Sequence, residues 1–199
     1  MNIDLEKLGV DIRNSFSLLL DSYLPKELLN KDNLKIISVA CGKFIDAECL
    51  ISYFAKHKKK IRLYGIEIDE SLINNAKERL LKDEKKDCIF LKQADATALE
   101  NYEEWLLDGV FDLVIVRHPE ITFNTQVFMK IFSLCAAILD KDRFMLVTTH
   151  HESERKATKL LFEMLKVNVL IDIENEKAVS IDKGSEKAFA DKFLLIAKV

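Results

Sequence analysis

Short apolar runs alternate with stretches of helical spacing along most of this chain. Seven runs from residue 34 onward have strand character: 34–40, 61–68, 88–93, 111–116, 143–149, 166–174 and 193–199. Because these runs are almost continuously apolar, both of their faces must be covered, which is typical of a parallel sheet with right-handed helical crossovers. The alternation therefore predicts a doubly wound α/β fold.

The predicted helices lie between these strands, at about 45–57, 71–83, 99–107, 123–139 and 152–166. An additional amphipathic pattern ends before Pro25 and predicts an N-terminal helix, with 1–33 packed on the rest of one domain over 1–199. A strand parallel to the one before it needs a crossover connection, usually a helix, and the segment before the last strand lacks a helical face. We therefore expect a mostly parallel seven-stranded sheet whose last strand is antiparallel.

The composition limits the possible partners. The chain is 49% hydrophobic and 32% charged with a net charge of −3, so no global positive field favours nucleic acid or anionic lipid. The basic run at 56–60 precedes the second strand and is interpreted as a solvated turn. The N-terminus has neither a signal peptide nor a membrane anchor, so we expect a cytoplasmic protein with no membrane partner.

The four cysteines, at positions 41, 49, 88 and 135, contain no C-x-x-C pair. We interpret them as reduced structural thiols, as expected for a cytoplasmic protein.

The turn after the first strand reads "ISVACGKFIDAE" over 37–48 and contains a single glycine, Gly42. From residue 34 to 199 the chain resembles the class I S-adenosylmethionine-dependent methyltransferases. That family's acidic-x-Gly-x-Gly-x-Gly pattern falls on Ser38, Ala40, Gly42 and Phe44. Gly42 keeps the glycine that lets backbone approach a ligand, whereas Phe44 must turn its ring away or narrow the pocket. The resemblance implies that Ala40, Cys41 and Gly42 bind the methionine part of S-adenosyl-L-methionine, and Ser38 removes the acid that helps to hold its amino group.

The second strand ends in "YGIEIDES", and the resemblance implies that an acid there binds both ribose hydroxyls of the cofactor. Glu67 follows Gly42 by 25 residues, as dinucleotide-type folds require at about this separation. Ile68, next to it, is included in the predicted cofactor site. Asp69 is the alternative ribose ligand, although it also suits a helix cap together with Ser71.

The third strand is followed by "QADATAL". The resemblance implies that Asp95 approaches the adenine amino group and that the backbone of Ala96 binds a ring nitrogen. The alternative is a helix cap at Asp95. Because parallel strands end at one edge, Asp95, Glu67 and the first loop are expected to converge.

The fourth strand ends in "VRHPEI" and the fifth in "TTHHES". In the family this edge lies beside the methyl acceptor, so His118 is predicted as the general base and Arg117 as a cofactor-pocket residue or an anchor for an acidic substrate group. Glu120, His150 and His151 are substrate-contact candidates, and no metal is predicted. The alternative is a polar turn in which His118 faces solvent.

The predicted function is S-adenosylmethionine-dependent methyl transfer, with a small molecule as the expected acceptor. The alternative is a methyltransferase-like module that binds the cofactor or a partner without catalysis. A nicotinamide-dependent dehydrogenase is disfavoured, because it needs G-x-G-x-x-G and positions 40–45 read "ACGKFI". The oligomeric state is open.

Overall fold

The computed structural model describes residues 5–80, 87–183 and 186–199. Its helices are α1 (Leu5–Tyr23), α2 (Asp46–Lys56), α3 (Glu70–Leu80), α4 (Glu103–Leu106), α5 (Thr125–Ile138) and α6 (Glu152–Met164). Its strands are β1 (Asn33–Val39), β2 (Lys60–Glu67), β3 (Ile89–Gln93), β4 (Phe111–Arg117), β5 (Leu139–Thr149), β6 (Asn168–Glu174), β7 (Val179–Lys183), β8 (Glu186–Ala190) and β9 (Phe193–Lys198).

Seven strands form one sheet in the order β3-β2-β1-β4-β5-β9-β6. The pairs among β3, β2, β1, β4 and β5 are parallel, whereas β9 is antiparallel to both β5 and β6. After β3 the chain returns past β1 to form β4, so the strand order reverses between β1 and β4. The carboxyl ends of these two strands therefore flank a crevice. The predicted fold class is confirmed.

Each face of the sheet is covered by its own apolar cluster. One cluster contains Phe16 of α1, Leu50 of α2 and Ile36 of β1, and the other contains Phe132 of α5, Phe162 of α6 and Ile37 of β1. Neighbouring residues of β1 therefore point to opposite clusters, as the period of two requires. The burial of both faces explains the continuous apolar strands.

The predicted helix at 99–107 is wrong as a single element. The chain forms a 3₁₀ turn at Leu99–Asn101 and then the short helix α4. Tyr102 between them is fully buried, and its hydroxyl donates a hydrogen bond to the carbonyl of Ala96 at 2.8 Å. The burial of Tyr102 and this bond, six residues back along the chain, fix the path of the segment more strongly than the helical pattern does. Positions 81–83 of the predicted helix at 71–83 lie outside the described residues.

The segment before the last strand forms a hairpin of β7 and β8, which pair with each other as a separate antiparallel sheet. It stands against α1, where the Ser15 hydroxyl donates to the carbonyl of Lys177 at 3.0 Å. The missing helical face of this segment is thus explained by strand pairing outside the main sheet.

Candidate functional site

The loop after β1 turns sharply at the carboxyl edge of the sheet. Ala40, Gly42 and Phe44 all have left-handed backbone, with φ of 52°, 53° and 51°. A side chain at Gly42 would meet nothing within 4 Å, so the space beside its backbone is open to a ligand. Left-handed residues other than glycine are costly and gather at functional sites.

Phe44 turns its ring away from this space, which is one of the two outcomes expected for it. The ring is fully buried in the cluster with α1 and α2. It lies over Gly65 of β2, where an added Cβ would come within 3.1 Å of the ring. The missing loop glycine is therefore accommodated by a glycine on the neighbouring strand.

Glu67 lies beside this loop and its carboxylate organises it. Its Oε2 accepts a hydrogen bond from the Gly42 backbone N–H at 2.8 Å, and its Oε1 accepts from the N–H groups of Ile68 and Asp69 at 2.9 and 3.0 Å. A carboxylate offers about four lone-pair sites, so one remains for a ligand. Ile68 is 66% exposed at the same edge.

Asp69 caps α3, as the alternative interpretation of this residue anticipated. Its Oδ1 accepts hydrogen bonds from the Ser71 N–H, the Ser71 hydroxyl and the Leu72 N–H at 2.8, 2.7 and 3.3 Å. The Ser71 hydroxyl and these backbone N–H groups lower the pKa of Asp69. Asp69 is thus engaged as a helix cap, whereas Glu67 is engaged with the loop after β1.

Asp95 lies in an exposed turn after β3. Its Oδ1 accepts from the Thr97 N–H at 2.8 Å, and this bond lowers the pKa of the carboxyl group. Ala96 is buried, with its carbonyl held by Tyr102. The backbone N–H of Ala94 donates to the carbonyl of Glu67 at 2.9 Å, which connects this turn to the end of β2.

Arg117 ends β4 in a buried ionic cluster. Its Nε and NH2 groups donate to the two carboxylate oxygens of Asp191 at 3.1 and 2.5 Å, and its guanidinium stacks over the ring of Phe16 at 4.3 Å. A second carboxylate oxygen, Oδ1 of Asp46, lies 3.8 Å from NH1. The guanidinium is therefore engaged within the protein, which favours a pocket-lining role over an anchor for an acidic substrate.

His118 follows Arg117 with left-handed backbone, at φ 54°, and Asp191 opposite it has φ 52°. Nε2 of His118 lies 2.9 Å from Oδ1 of Asp191 and 3.1 Å from its backbone nitrogen. Burial lowers the pKa of His118 to about 4, against the opposing effect of Asp191. Burial alone would raise the pKa of Asp191, but Arg117 and His118 hold it well below its ordinary value. At neutral pH the site thus pairs a neutral imidazole with an ionised carboxylate.

The three histidines do not share one environment. The ring of His150 stacks on that of His118, with centroids 3.9 Å apart and planes 19° apart. Its Nδ1 lies 2.8 Å from the carbonyl of Phe189 in the hairpin. His151 instead begins α6, where its N–H donates to Glu154 Oε2 at 3.2 Å. The expectation that both His150 and His151 face the cleft is met by His150, whereas neither His151 nor Glu120 is among the residues that line the cavity described next.

A cavity of about 290 Å³ lies at this edge. Its floor is the loop at 40–43, Ile45 and Asp46, its wall is Arg117, His118 and His150, and its roof is Ile12 of α1 with Ile181 and Ala190 of the hairpin. A larger cavity of about 830 Å³ lies at the opposite, amino edge and includes Lys59 and Lys60 of the basic run. Since ligands of open α/β sheets bind at the carboxyl ends of strands, the smaller cavity is the candidate site.

The thiol of Cys41 borders this cavity without being activated. Burial, followed by the charges of Asp46 and Glu67, raises its pKa well above the ordinary value. A thiolate nucleophile is therefore disfavoured. All four cysteines are free thiols.

Neither a protein-family model nor a curated protein sequence matches this chain. Solved structures do. Magnesium protoporphyrin IX methyltransferase from Synechocystis PCC 6803 with bound S-adenosylmethionine superimposes with a TM-score of 0.63 at 13% identity, covering 100% of this chain and 85% of the other. A S-adenosylmethionine-dependent methyltransferase from Archaeoglobus fulgidus gives 0.55 at 14% identity, covering 94% of each chain. The fold is that of the class I S-adenosylmethionine-dependent methyltransferases.

The methyltransferase fold also supports other chemistry. Precorrin 8w decarboxylase from Methanobacterium thermoautotrophicum matches with a TM-score of 0.59 at 15% identity, covering 92% of this chain and 89% of the other. Fold alone therefore does not determine the reaction.

Sequence reasoning missed two residues of this methyltransferase-fold site, Asp46 and Asp191. Both are buried, at 2% and 0% exposure, and both lie next to Arg117. Asp46 carried a signal, because it stands in the first turn of α2 directly after the loop. Asp191 carried none, because only the hairpin brings it back from 74 residues beyond Arg117.

Two negative findings apply to residues 5–80, 87–183 and 186–199. No group of three or more histidine, cysteine, aspartate or glutamate residues there is arranged to hold a metal ion. No helix in those ranges combines the length and the apolar character needed to cross a bilayer.

Proposed function

We propose that this protein binds S-adenosyl-L-methionine at the carboxyl edge of its sheet and transfers the methyl group to a small-molecule acceptor. The observation that carries the proposal is the cavity between the ends of β1 and β4, whose floor is an open backbone at Gly42 tied to Glu67. The methyltransferase fold supports this assignment, because ligands of open α/β sheets bind at the carboxyl ends of the strands. The expected small acceptor agrees with a roof that, within the described ranges, consists of residues from α1 and the hairpin.

The residues present fit the cofactor in two places. Glu67 and Ile68, with Asp95 and Ala96, would hold the adenosine part on the open surface after β2 and β3. Ala40, Cys41, Gly42 and the backbone of Arg117 would border the amino-acid part in the cavity. When bound, the cofactor supplies a methyl group that is already activated by its sulfonium charge.

His118 would accept the proton that an O–H or N–H acceptor loses. Because burial lowers its pKa to about 4, the ring is unprotonated at neutral pH but is a weaker base than an ordinary imidazole. Nε2 has two competing partners in Asp191, the backbone N–H that is directed at it at 3.1 Å and the ionised Oδ1 at 2.9 Å. We assign the ring proton to Nε2 at the expense of the N–H bond, since the ionised carboxylate is the closer and stronger partner. Nδ1 then keeps a lone pair for the acceptor. Stacking on His150 holds the ring plane, so orientation as well as proton transfer is provided.

The second candidate is a cofactor-binding module without catalysis. The observation that favours it is the cavity volume of about 290 Å³, which is at the lower limit for ligand pockets, roughly 300 to 1,000 Å³. A cavity of this size leaves little room for an acceptor beside the cofactor.

Calorimetric titration with S-adenosylmethionine and S-adenosylhomocysteine tests the proposal. Glu67→Ala should weaken S-adenosylhomocysteine binding about tenfold or more, because charge-assisted hydrogen bonds contribute on the order of 1.5 to 3 kcal/mol each. Asp69→Ala is the matched control, since Asp69 caps α3.

Three outcomes of this titration separate the candidates. A wild-type protein that binds neither ligand at millimolar concentration removes both candidate functions. Loss on Asp69→Ala but not on Glu67→Ala transfers the ribose contact to Asp69. If the protein binds the cofactor but forms no S-adenosylhomocysteine from S-adenosylmethionine with any of a panel of small acceptors, the cofactor-binding module without catalysis is supported.

A further inference from the structure

The carboxyl group of Asp46 is buried in the floor of the candidate site without a full set of partners. The residue is 2% exposed, and its Oδ2 has no hydrogen-bond partner among the described residues. Buried polar atoms without partners are rare and each requires an explanation. Asp46 is also one of the residues that line the cavity, so a ligand bound there would lie next to it.

The neighbouring charges do not neutralise Asp46. Arg117 is the nearest cation, but it binds both oxygens of Asp191 at 3.1 and 2.5 Å and lies 3.8 Å from Oδ1 of Asp46. His118 adds no positive charge at neutral pH, because burial lowers its pKa to about 4. One cation therefore faces two carboxylates, and ionisation of Asp46 leaves a surplus negative charge in the cavity, which burial disfavours by raising the pKa of Asp46.

Ser38 links this surplus charge to the altered loop. Ser38 is buried at the end of β1, where the methyltransferase pattern has an acid. Burial raises the pKa of Asp46, whereas Arg117 and the Ser38 hydroxyl both favour its ionised form. Asp46 follows Ser38 by eight residues, beyond the loop and in the first turn of α2. The acid missing from the strand is thus present on the helix that faces the same cavity.

We infer that Asp46 binds the primary ammonium group of the amino-acid end of the cofactor, in place of an acid at position 38. This inference rests on the proposed function. A charged hydrogen bond to Oδ2 would satisfy the atom that lacks a partner and neutralise the surplus charge. The chemical class selected is an α-ammonium group on a nucleoside thioether, so Asp46 distinguishes ligands with that group from those without it.

Two ligands that differ only at the amino-acid end provide the test, measured by calorimetry on the full chain. S-adenosylhomocysteine carries the ammonium group, and 5′-methylthioadenosine has the same adenosine and thioether without it. Asp46→Asn should weaken S-adenosylhomocysteine binding about tenfold to a hundredfold, the range for one charge-assisted hydrogen bond. Binding of 5′-methylthioadenosine should change by less than about twofold, since no Asp46 contact is involved.

Asp21→Asn is the control. It makes the same chemical change at an aspartate of α1 that pairs with Lys56 at 3.0 Å and is not among the residues that line the cavity. Both affinities should be unchanged in this variant. A folded Asp46→Asn that binds S-adenosylhomocysteine as tightly as the wild type, or loses both ligands equally, overturns the inference.

A second measurement needs no variant. The wild-type protein should bind the desamino analogue of S-adenosylhomocysteine at least about tenfold more weakly than S-adenosylhomocysteine, for the same reason. Equal binding of the two overturns the assignment even if Asp46→Asn fails to fold. A wild-type protein that binds none of these nucleosides rejects the proposed function itself, which is a different result from equal binding.

Discussion

At the scale of residues, the end of β4 is held by charges that sequence proximity does not provide. Asp191 receives Arg117 in a bidentate pair and also faces His118, so one carboxylate orients both residues. His118 and Asp191 both have left-handed backbone. Such strain persists only where surrounding contacts determine it strongly, and the ion pair is that contact here.

We predict that His118→Ala lowers methyl-transfer turnover by at least about a hundredfold once an acceptor is found, since general-base catalysis contributes 10² to 10⁴. Calorimetry should show S-adenosylmethionine affinity nearly unchanged. His57→Ala is the control, because His57 packs on Tyr53 at the other end of α2. Turnover within a few-fold of the wild type in His118→Ala would remove the base assignment.

At the scale of elements, the loop after β1 depends on the strand beside it. Gly65 of β2 leaves space that Cys41 and Phe44 of the loop occupy. An added Cβ would lie 2.8 Å from Cδ2 of Leu91 and 3.1 Å from both Sγ of Cys41 and Cδ1 of Phe44. The position of the cofactor loop is therefore coupled to the packing of β2.

We predict that Gly65→Ala lowers the free energy of unfolding by about 1 to 3 kcal/mol, the usual cost of overpacking a buried site. Urea denaturation measures this. Gly9→Ala in α1 is the control, because its nearest contact would be Arg13 NH1 at 3.8 Å and alanine favours a helix by up to about 1 kcal/mol. Equal stability of Gly65→Ala and the wild type would contradict this prediction and show that the loop moves aside without a loss of free energy of unfolding.

At the scale of the whole molecule, the site is assembled from both ends of the chain. Asn175 donates through Nδ2 to the Ser15 hydroxyl at 3.2 Å and to the carbonyl of Asp191 at 3.1 Å. These bonds connect α1, the hairpin and the turn that carries Asp191. The roof of the cavity and the ionic cluster beneath it are thus one structural unit.

We predict that stability falls as the pH drops from about 6.5 towards 4, and that His118→Gln reduces the slope. The folded pKa of His118, about 4, lies below its ordinary value of 6.5, so the folded state binds fewer protons in this window. The stability that depends on a neutral His118 is fully present above the ordinary pKa and is lost as the pH falls through the folded pKa. The total loss in the free energy of unfolding is up to about 3 kcal/mol.

Thermal denaturation across this pH range compares the two slopes. Folded Asp191 stays ionised across the window because its pKa is held lower, and its unfolded form takes up protons only near pH 4, in both proteins. Asp46, whose pKa burial raises, acts in the opposite direction in both proteins. The difference between the proteins therefore isolates His118. Parallel curves would mean that the ring is protonated equally easily in both states.

The sequence by itself determined the seven strands of the main sheet and their directions, but neither the turn at 99–107 nor the hairpin of β7 and β8. Strand runs with no polar face require cover on both sides, and a segment without a helical face before the last strand requires an antiparallel return. These are local patterns with known periods. They placed Gly42, Glu67, Asp95 and Arg117 at the ends of parallel strands, and hence at one edge.

Only the tertiary structure decided how the charges at that edge are paired. Asp191 reaches Arg117 because it follows the hairpin, and the sequence pattern of that segment did not predict where the hairpin lies. The proposed role of Asp46 depends on the pairing of Arg117 with Asp191 rather than with Asp46. Ion pairs between residues far apart in the chain depend on distances of a few ångströms. No periodicity of the sequence encodes such distances, because they follow from the packing of α1, α2 and the hairpin around the cavity.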